Sequence, residues 1–463
     1  MLALTAVRER LSLTSSDAIF LSPLPGLSLS SSIAPRARPT AISVCRCTGS
    51  GQLRAISPYS RYADFSPREN ARTIVPATRF LHDKCSREKG YLWEFAFYCR
   101  RGWWEFITIL GKRRPPDPED LGLERELLMR MYRLLVLTRA LDRYLLRLQR
   151  MGKVALYAES LGEEAAMVGS ALALRPEDVV FPSYRELGVY LTRGVPISEI
   201  LDRQLNTVDD PLKGHEFAVF GDSRFNIVPA PTPVATQIPV AVGYALAFKI
   251  RGERRLAVTY FGDGATSKGD FHEGINFASV YKPPIVFICL NNQYAISTHV
   301  SRQTGAATIA QKAIAYGLSG YRVDGNDAIA MYLVSRSVFE EVREGGDPVL
   351  IEAVTYRLGA HTTSDDPKRY RSEEEVRYWM ERDPIERMRS YLISKNVMGE
   401  EEDKALWAEV EALVSAEVEK ALAKPGLDPM VIFEDVYAEP TPQLREQMEE
   451  FRQQLRMERV MRG

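Results

Sequence analysis

The chain has 463 residues, of which 45% are hydrophobic and 26% are charged. A chain of this length can bury a large core and form two to three domains, or one large α/β domain with extensions. Its formal net charge of -1 gives no reason to expect nucleic acid or an anionic membrane as a partner. No uninterrupted apolar run reaches the length of about eighteen residues that a membrane span needs.

The first 115 residues differ in composition from the rest of the chain. Up to Ser60 the segment is rich in Ser, Pro and Arg, and its only acids are Glu9 and Asp17. This composition is typical of an organellar transit peptide, but a low-complexity leader or a translation start placed too far upstream would look the same. We expect a mitochondrial matrix location if residues 1–60 are a transit peptide, and a cytoplasmic location if the protein is bacterial. The domain prediction is a leader over 1–115, a main domain over 116–445 and a C-terminal helical tail over 446–463.

After a proline-rich break at 115–118, the pattern becomes that of a globular domain. Apolar residues recur at steps of three and four from Leu123 to Leu148, which predicts a long amphipathic helix. A second helix is predicted over 162–174, a short buried strand over 179–181, and a long loop between Lys213 and Pro239. Strands and helices then alternate, with strands predicted at 256–261, 284–290, 320–323 and 348–356 and helices at 238–248, 271–281, 309–316 and 328–343.

This alternation predicts an α/β fold with a doubly wound, mostly parallel sheet flanked by helices. The region that follows the last strand is predicted to consist of charged helices. Their charged residues are interpreted as solvated faces over a core.

Two polar clusters follow neighbouring predicted strands. Gly-Asp-Gly at 262–264 ends one strand, and Asn-Asn at 291–292 ends the next. Ligands of parallel sheets bind beyond the carboxyl ends of the strands, where glycines let the backbone approach an anion closely. Asp263, Asn292 and the backbone carbonyl of Tyr294 offer the hard oxygen ligands that Mg²⁺ prefers. The sequence therefore predicts a site for Mg²⁺ and a diphosphate at this edge of the sheet.

The spacing of the two clusters resembles the signature of thiamine diphosphate enzymes. Within that superfamily, the sequence from about 121 to 445 is similar to the α subunits of branched-chain 2-oxo acid dehydrogenases. NNQYAIST and HTTSDD favour this family over the pyruvate dehydrogenase α subunits, which would read more like NNRYGMGT and YHGHSMSD. The resemblance rests on GDGATSKGDFHEGINFAS at 262–279, NNQYAIST at 291–298, YRVDGND at 321–327 and YRLGAHTTSDDPKRYRSEEEV at 356–376.

The resemblance implies a thiamine-diphosphate-binding fold and a set of cofactor contacts. His361 becomes the catalytic candidate, which would bind a cofactor phosphate and help to pass the acyl group to a lipoyl thiol. Val234 matches an apolar residue that is pressed between the two rings of the cofactor. The other matching cofactor residues are Tyr184, Arg185, Thr232, Gly262, Asp263, Gly264, Ala265, Asn292, Tyr294 and Ile296.

The family also implies further sites and partners. Thr236 and Gln237 match a monovalent-cation site for K⁺, while Leu156 and Tyr184 match positions near the substrate pocket. The glutamate that activates the aminopyrimidine ring is expected on a β subunit, which implies an obligate α₂β₂ heterotetramer. A lipoyl acyltransferase component and small 2-oxo acids are the other expected partners.

This sequence departs from the animal pattern at several positions. Leu290 stands where animal forms have a basic residue, and Ser183 stands where a Gln often precedes Tyr-Arg. Ala360 replaces a His, and Thr362 replaces a phosphorylatable Ser. Thr362 and Ser372 could accept phosphate, but their presence does not show that a kinase exists.

Two alternatives to the branched-chain activity stay open. The first is the same chemistry on pyruvate or acetoin, because a β subunit would share the wall of the substrate pocket. The second is a non-catalytic, Mg²⁺-nucleotide-binding α/β protein. That protein would need a phosphate loop of the GxxxxGK[ST] type, which this sequence lacks, or a GxGxxG motif after a first strand.

Overall fold

Eight strands occur in the described part of the chain, and six of them form one parallel sheet. The structure is a computed structural model that describes residues 106–112, 114–215, 220–229 and 232–462. The strands are β1 (Phe106–Ile107), β2 (Val179–Phe181), β3 (Ala257–Gly262), β4 (Ile285–Asn291), β5 (Tyr294–Ala295), β6 (Thr298–His299), β7 (Ser319–Asp324) and β8 (Val349–Val354). The sheet order is β1-β7-β8-β4-β3-β2, and β5 and β6 pair separately as an antiparallel hairpin.

Twelve α-helices accompany the strands in the described residues. Those before the third strand are α1 (Arg125–Arg150), α2 (Glu164–Leu172), α3 (Leu187–Thr192), α4 (Ile197–Leu205) and α5 (Gln237–Arg251). Those within the rest of the sheet region are α6 (Gly269–Tyr281), α7 (Lys312–Ala315) and α8 (Ala328–Arg343). The C-terminal helices are α9 (Glu373–Met380), α10 (Pro384–Ser394), α11 (Glu400–Leu422) and α12 (Pro442–Arg462).

The side chains of each strand alternate between two apolar cores. In β3, Val258 and Tyr260 belong to one core and Ala257 and Phe261 to the other. Buried side chains of α1, α2, α8 and α11 fill the first core, and those of α5 and α6 fill the second. Because both faces are covered, every residue of β4 is buried, including Cys289. This is the pattern expected of a parallel sheet with helices on both sides.

The predicted α/β class with a mostly parallel, helix-flanked sheet is confirmed. The predicted strands lie within a few residues of β2, β3, β4, β7 and β8, and the long helix predicted from Leu123 corresponds to α1. The helix predicted over 309–316 is reduced to the single turn of α7. Neither α3 nor α4 is predicted from the sequence. The six residues of α3 contain too few turns to show a clear period, whereas α4 does have one apolar face, which the prediction overlooks.

Among the described residues, the first strand of the sheet lies inside the segment that is predicted to be a leader. β1 pairs in parallel with β7 at the edge of the sheet. The backbone N–H groups of Ile109 and Leu110 donate to Asp327 Oδ2 at 2.5 and 2.6 Å, and the side chain of Ile109 is buried. A strand of two residues is too short to show an alternating side-chain pattern, so the sequence does not reveal it. Residues 1–105, with the transit-like segment, lie outside the described residues.

The C-terminal region is helical, as the sequence predicts. α12 begins at Pro442, so the boundary predicted at residue 446 falls within a continuous helix. Among the described residues, none of the helices is both long enough and apolar enough to cross a membrane.

Four neighbouring strands end together at one edge of the sheet. The register pairs Gly262 with Leu290 and Asn291 with Val354, so β3, β4 and β8 finish side by side. β2 lies on the other side of β3 and ends shortly before Tyr184. The two polar clusters are therefore adjacent, as predicted, and the segments that follow β2 and β8 join them.

Candidate active site

A cavity of about 280 Å³ lies beyond the ends of β2, β3, β4 and β8. The loop after each of these strands forms part of the cavity wall, because polar loop residues follow directly after the buried apolar residues of the strand. The cavity brings together twelve residues that the sequence analysis assigns to the site: Tyr184, Arg185, Val234, Gln237, Gly262, Asp263, Gly264, Ala265, Asn292, Tyr294, Ile296 and His361.

Three other predicted residues do not line this cavity. Thr232 is exposed in the loop before α5, just after residues 230–231, which lie outside the described part of the chain. Thr236 is half-buried at the N-terminus of α5. Leu156, predicted near the substrate, is half-buried in the turn after α1 and is absent from the lining. Their predicted contacts with cofactor, K⁺ and substrate stay predictions.

Asp263 places one buried carboxylate at the end of β3. Burial raises the pKa of Asp263 to about 6, against hydrogen bonds from the side chain of Gln303 and from the backbone of Asp263 and Asn292. Gln303 Nε2 donates to Asp263 Oδ2 at 2.5 Å and to the carbonyl of Thr298 at 2.8 Å. The Oε1 atom of Gln303 is buried and has no hydrogen-bond partner among the described residues. A buried carboxylate beside an unpaired acceptor fits a hard cation and its bound water.

Asn292 is oriented by a second buried acid. Its Nδ2 donates to Glu163 Oε1 at 2.9 Å, so its Oδ1 points away from Glu163. Burial raises the pKa of Glu163 to about 7, although the charge of Arg185 and the hydrogen bond from Asn292 oppose this shift. Asn292 Oδ1 accepts from the backbone N–H of Tyr294 at 3.3 Å and retains a second lone pair, so Glu163 fixes which atom of the amide can act as an oxygen ligand.

Arg357 holds the backbone of the third predicted ligand. Its Nη1 donates to the carbonyl of Tyr294 at 3.1 Å, and its Nη2 donates to the carbonyl of Ile296 at 2.7 Å and to Tyr370 Oη at 3.0 Å. Ile296 has a φ of 55°, which is strained for a β-branched side chain. Backbone strain of this kind is concentrated at active sites and ligand sites. The Tyr294 carbonyl retains a second lone pair for a cation.

His361 lies between two guanidinium groups. Arg185 Nη2 is 3.3 Å from His361 Nδ1, and Arg357 Nη1 is 3.5 Å from the same atom. Burial, followed by the charges of Arg185 and Arg357, lowers the pKa of His361 to about 4. The imidazole is therefore neutral at physiological pH. Because Nδ1 faces only donors, the proton belongs on Nε2.

Gln237 adds a buried amide to the same wall. Its Nε2 donates to the carbonyl of Tyr260 at 2.9 Å, so its Oε1 is directed elsewhere. An amide oxygen is a suitable ligand for K⁺, but the contribution predicted for Thr236 is not brought into the cavity. No group of three or more His, Cys, Asp or Glu side chains that could hold a metal occurs within the described ranges. The predicted Mg²⁺ set contains one carboxylate only, so it does not depend on such a cluster.

Several residues of the site are not predicted from the sequence. Glu163 and Glu186 are buried lining residues, and burial raises the pKa of each to about 7. Arg357 lies in a motif that carries the resemblance, but nothing in the motif shows that its side chain turns back onto Tyr294. Gln303 lies forty residues from Asp263 in sequence, and no local pattern connects the two. The adjacent acids at 163–164, at the start of a helix of small apolar residues, are the one signal that could have indicated Glu163.

A protein-family model described as "Dehydrogenase E1 component" matches residues 132–430. The chain belongs to the dehydrogenase E1 component family. Together with the relatives described next, this match confirms the resemblance carried by the four motif segments and the enzyme class that it implies.

The relatives of this chain include α subunits that are named for branched-chain 2-oxo acid dehydrogenases and one that is named for a pyruvate dehydrogenase. The chain is 44% identical over 357 residues to the 3-methyl-2-oxobutanoate dehydrogenase subunit alpha of Mycobacterium tuberculosis, covering 76% of this chain and 94% of that protein. It is 42% identical over 333 residues to the mitochondrial 2-oxoisovalerate dehydrogenase subunit alpha of Mus musculus, covering 72% and 75%. It is 41% identical over 335 residues to the pyruvate dehydrogenase E1 component subunit alpha of Acholeplasma laidlawii, covering 72% and 95%.

Proposed function

We propose that this E1 chain is the α subunit of a branched-chain 2-oxo acid dehydrogenase. The enzyme would decarboxylate branched-chain 2-oxo acids oxidatively with thiamine diphosphate and Mg²⁺ and pass the acyl group to lipoamide on an acyltransferase partner. The observation that carries the proposal is the convergence of Asp263, Asn292, the Tyr294 carbonyl, Arg185 and His361 on one cavity at the ends of adjacent parallel strands.

The anchoring of the cofactor follows from the oxygen ligands. Asp263, Asn292 Oδ1 and the carbonyl of Tyr294 would hold Mg²⁺, and the metal would hold the diphosphate. Gly262 and Gly264, on either side of Asp263 in sequence, line the same cavity. Because they have no side chains, an anion can approach the backbone closely there. When bound, thiamine diphosphate supplies the electron sink that allows a 2-oxo acid to lose CO₂.

The contribution of this chain to the chemistry comes from His361. Its Nδ1 accepts from the flanking guanidinium groups, which leaves Nε2–H as a donor that can face the reacting part of the cavity. A neutral imidazole of this kind can donate to a phosphate or to an oxygen that gains negative charge. Asp365 Oδ2 accepts from the backbone N–H of His361 at 2.8 Å and fixes the position of this loop.

The cavity is open on the side of two apolar residues. Val234 is 45% exposed and Ile296 is 55% exposed, although both line the cavity. The two buried glutamates are already engaged, Glu163 with Asn292 and Glu186 with the backbone N–H of Arg185 at 3.0 Å. We therefore infer that a β subunit closes this side and supplies the glutamate that activates the aminopyrimidine, in an α₂β₂ assembly. K⁺ at Gln237 and Thr236 belongs to the same proposal.

The branched-chain substrate is supported by the names of two of the relatives and by the NNQYAIST and HTTSDD motifs. Pyruvate is the second candidate, because a pyruvate dehydrogenase α subunit is 41% identical to this chain.

The proposal is tested by co-expressing this chain with its cognate β subunit. Decarboxylation of 2-oxoisovalerate, 4-methyl-2-oxopentanoate and pyruvate is measured with and without thiamine diphosphate and Mg²⁺. We expect cofactor-dependent activity that is highest with a branched-chain substrate and absent from the isolated chain. Activity without the cofactor, or none with any 2-oxo acid, would contradict the proposed function, and a preference for pyruvate would favour the second candidate.

A further inference from the structure

The basic side chains that line the cavity differ in how many of their N–H groups already donate hydrogen bonds to the protein. Arg185 Nη1 donates to the carbonyl of Glu159 at 2.5 Å, and its Nη2 donates to the carbonyl of His361 at 2.9 Å. Both terminal nitrogens of Arg357 donate to protein acceptors, Nη1 to the carbonyl of Tyr294 and Nη2 to the carbonyl of Ile296. These two guanidinium groups therefore act first as supports for the surrounding backbone.

Lys268 is different. It lines the cavity, and its side chain is exposed. Its ammonium group forms no hydrogen bond and no ion pair with any residue in the described part of the chain. Of the basic side chains that line this cavity within the described residues, it alone has all its donors available for a ligand.

The position of Lys268 relates it to the wall that follows β3. The backbone N–H of Lys268 donates to the carbonyl of Ala265 at 3.0 Å, and Ala265 lines the cavity next to Gly264. Lys268 also directly precedes α6 as its N-cap residue, so the free N–H groups of a thirteen-residue helix lie beside it. An ammonium group and a helix N-terminus at the same place favour an anion.

The neighbouring strand offers no cation to this wall. Leu290, which pairs with Gly262 in the sheet, is buried and lines the cavity with an apolar side chain. Asp263, on the same wall, is an acid and does not attract a phosphate unless a metal is bound. A diphosphate carries more negative charge than a single Mg²⁺ beside a carboxylate can neutralise, so it needs a further cation on this side.

We propose that Lys268 is a diphosphate-binding residue of this chain, whose ammonium group pairs with the cofactor's phosphate groups at the mouth of the cavity. This inference rests on the proposed function, because it takes the diphosphate as the anion. The residue would supply the ionic contact that Leu290 cannot make.

The test compares three charge variants of the full chain, assembled with its β subunit. Lys268→Gln removes the ammonium group, and Lys268→Arg keeps the charge. Lys282→Gln is the matched control, because Lys282 lies just beyond the opposite end of the same helix and pairs with Asp347 instead. Binding of thiamine diphosphate, and separately of inorganic pyrophosphate, is measured by isothermal titration calorimetry in the presence of Mg²⁺ and at several NaCl concentrations.

We expect Lys268→Gln to weaken both probes about tenfold, the loss that corresponds to one charge-assisted hydrogen bond. Its affinity should also depend less steeply on salt, since one ionic contact is gone. Lys268→Arg should stay within about twofold of the wild type, and Lys282→Gln should bind as the wild type does.

Three results would overturn the assignment. Lys268→Gln could bind both probes as tightly as the wild type, or Lys282→Gln could weaken them equally, which would show only a general charge effect. In either case the proposed function stands while the role of Lys268 fails. If the wild type binds neither probe, both the proposed function and the role of Lys268 are wrong.

Discussion

The guanidinium group of Arg185 touches His361 at two points, with Nη2 2.9 Å from the carbonyl oxygen and 3.3 Å from Nδ1. Arg185 follows β2 and His361 follows β8, so the contact joins segments 176 residues apart in sequence. Together with burial and the charge of Arg357, this contact lowers the pKa of His361, so that the histidine stays neutral and has a defined proton position. Most of the chemistry proposed for this chain depends on that state.

The first prediction concerns the charge of His361. We expect a pKa of about 4 by NMR titration of the cofactor-free protein, and a value closer to the ordinary 6.5 in Arg185→Gln. Removing a neighbouring positive charge makes protonation easier, which sets the direction of the change. Arg185→Lys, which keeps a charge, should move the pKa less. An unchanged titration in Arg185→Gln would show that burial and Arg357, and not the charge of Arg185, lower the pKa of His361.

The second prediction is the effect of pH on stability through the same group. The pKa of His361 is lower in the folded chain than in the unfolded chain, so the unfolded chain binds a proton more tightly between about pH 4 and 6.5. The contribution of His361 is therefore fully present above pH 6.5 and is lost as the pH falls toward 4. Urea unfolding at pH 7 and at pH 4.5 should show that the wild type loses more stability than His361→Gln. An equal loss in both proteins would contradict this.

The third prediction addresses the metal ligand at the end of β4. Asn292→Ala removes the amide oxygen, and we expect Mg²⁺-dependent binding of thiamine diphosphate to weaken by roughly 100-fold, or about 2.7 kcal/mol. Tryptophan fluorescence quenching measures the affinity. Asn276→Ala, on the exposed face of α6, is the control and should bind normally. Retention of the cofactor by Asn292→Ala would exclude this residue from the metal site.

The fourth prediction concerns Gln303, which donates to Asp263. In Gln303→Ala the carboxylate loses a partner that holds its orientation, so Mg²⁺ affinity should fall by about 10-fold while the melting temperature changes little. Gln303→Glu should be worse, because it places a second negative charge against Asp263. Gln311→Ala, which removes only the hydrogen bond from the N–H of Ala307, is the matched control. Equal metal affinity in all four proteins would remove Gln303 from the site.

The fifth prediction tests a close approach that positions the loop before α2. Gly162 has a φ of +97°, and a Cβ atom there would lie 2.3 Å from the carbonyl oxygen of Tyr356. Gly162→Ala should therefore destabilise the fold by about 2–4 kcal/mol in denaturant unfolding. Gly252 also has a positive φ, of +67°, but a Cβ atom there would meet no atom within 4 Å, so Gly252→Ala should cost only about 1 kcal/mol. Equal losses would show that strain, and not the contact with Tyr356, decides the effect.

Much of the fold could be predicted because it depends on local periodicity. The three-to-four-residue period of α1 and the continuous apolar runs of β3 and β4 identify those elements directly. The polar clusters at 262–264 and 291–292 could be assigned to one site, since the ends of consecutive parallel strands meet at one edge of a sheet. Short elements could not be predicted, because their side-chain pattern does not repeat often enough. The helix α3 contains fewer than two turns, and the strand β1 contains only two residues.

The sequence by itself determined the α/β class, the family and the two polar clusters, because each of these depends on residues that are close together along the chain. The tertiary structure alone decided how the site is supported. Glu163 orients Asn292 across 129 residues, and Gln303 and Arg357 secure Asp263 and the Tyr294 carbonyl through contacts that no local pattern encodes. It also decided that His361 is neutral, since a pKa depends on burial and on neighbouring charges in space and not on neighbours in sequence.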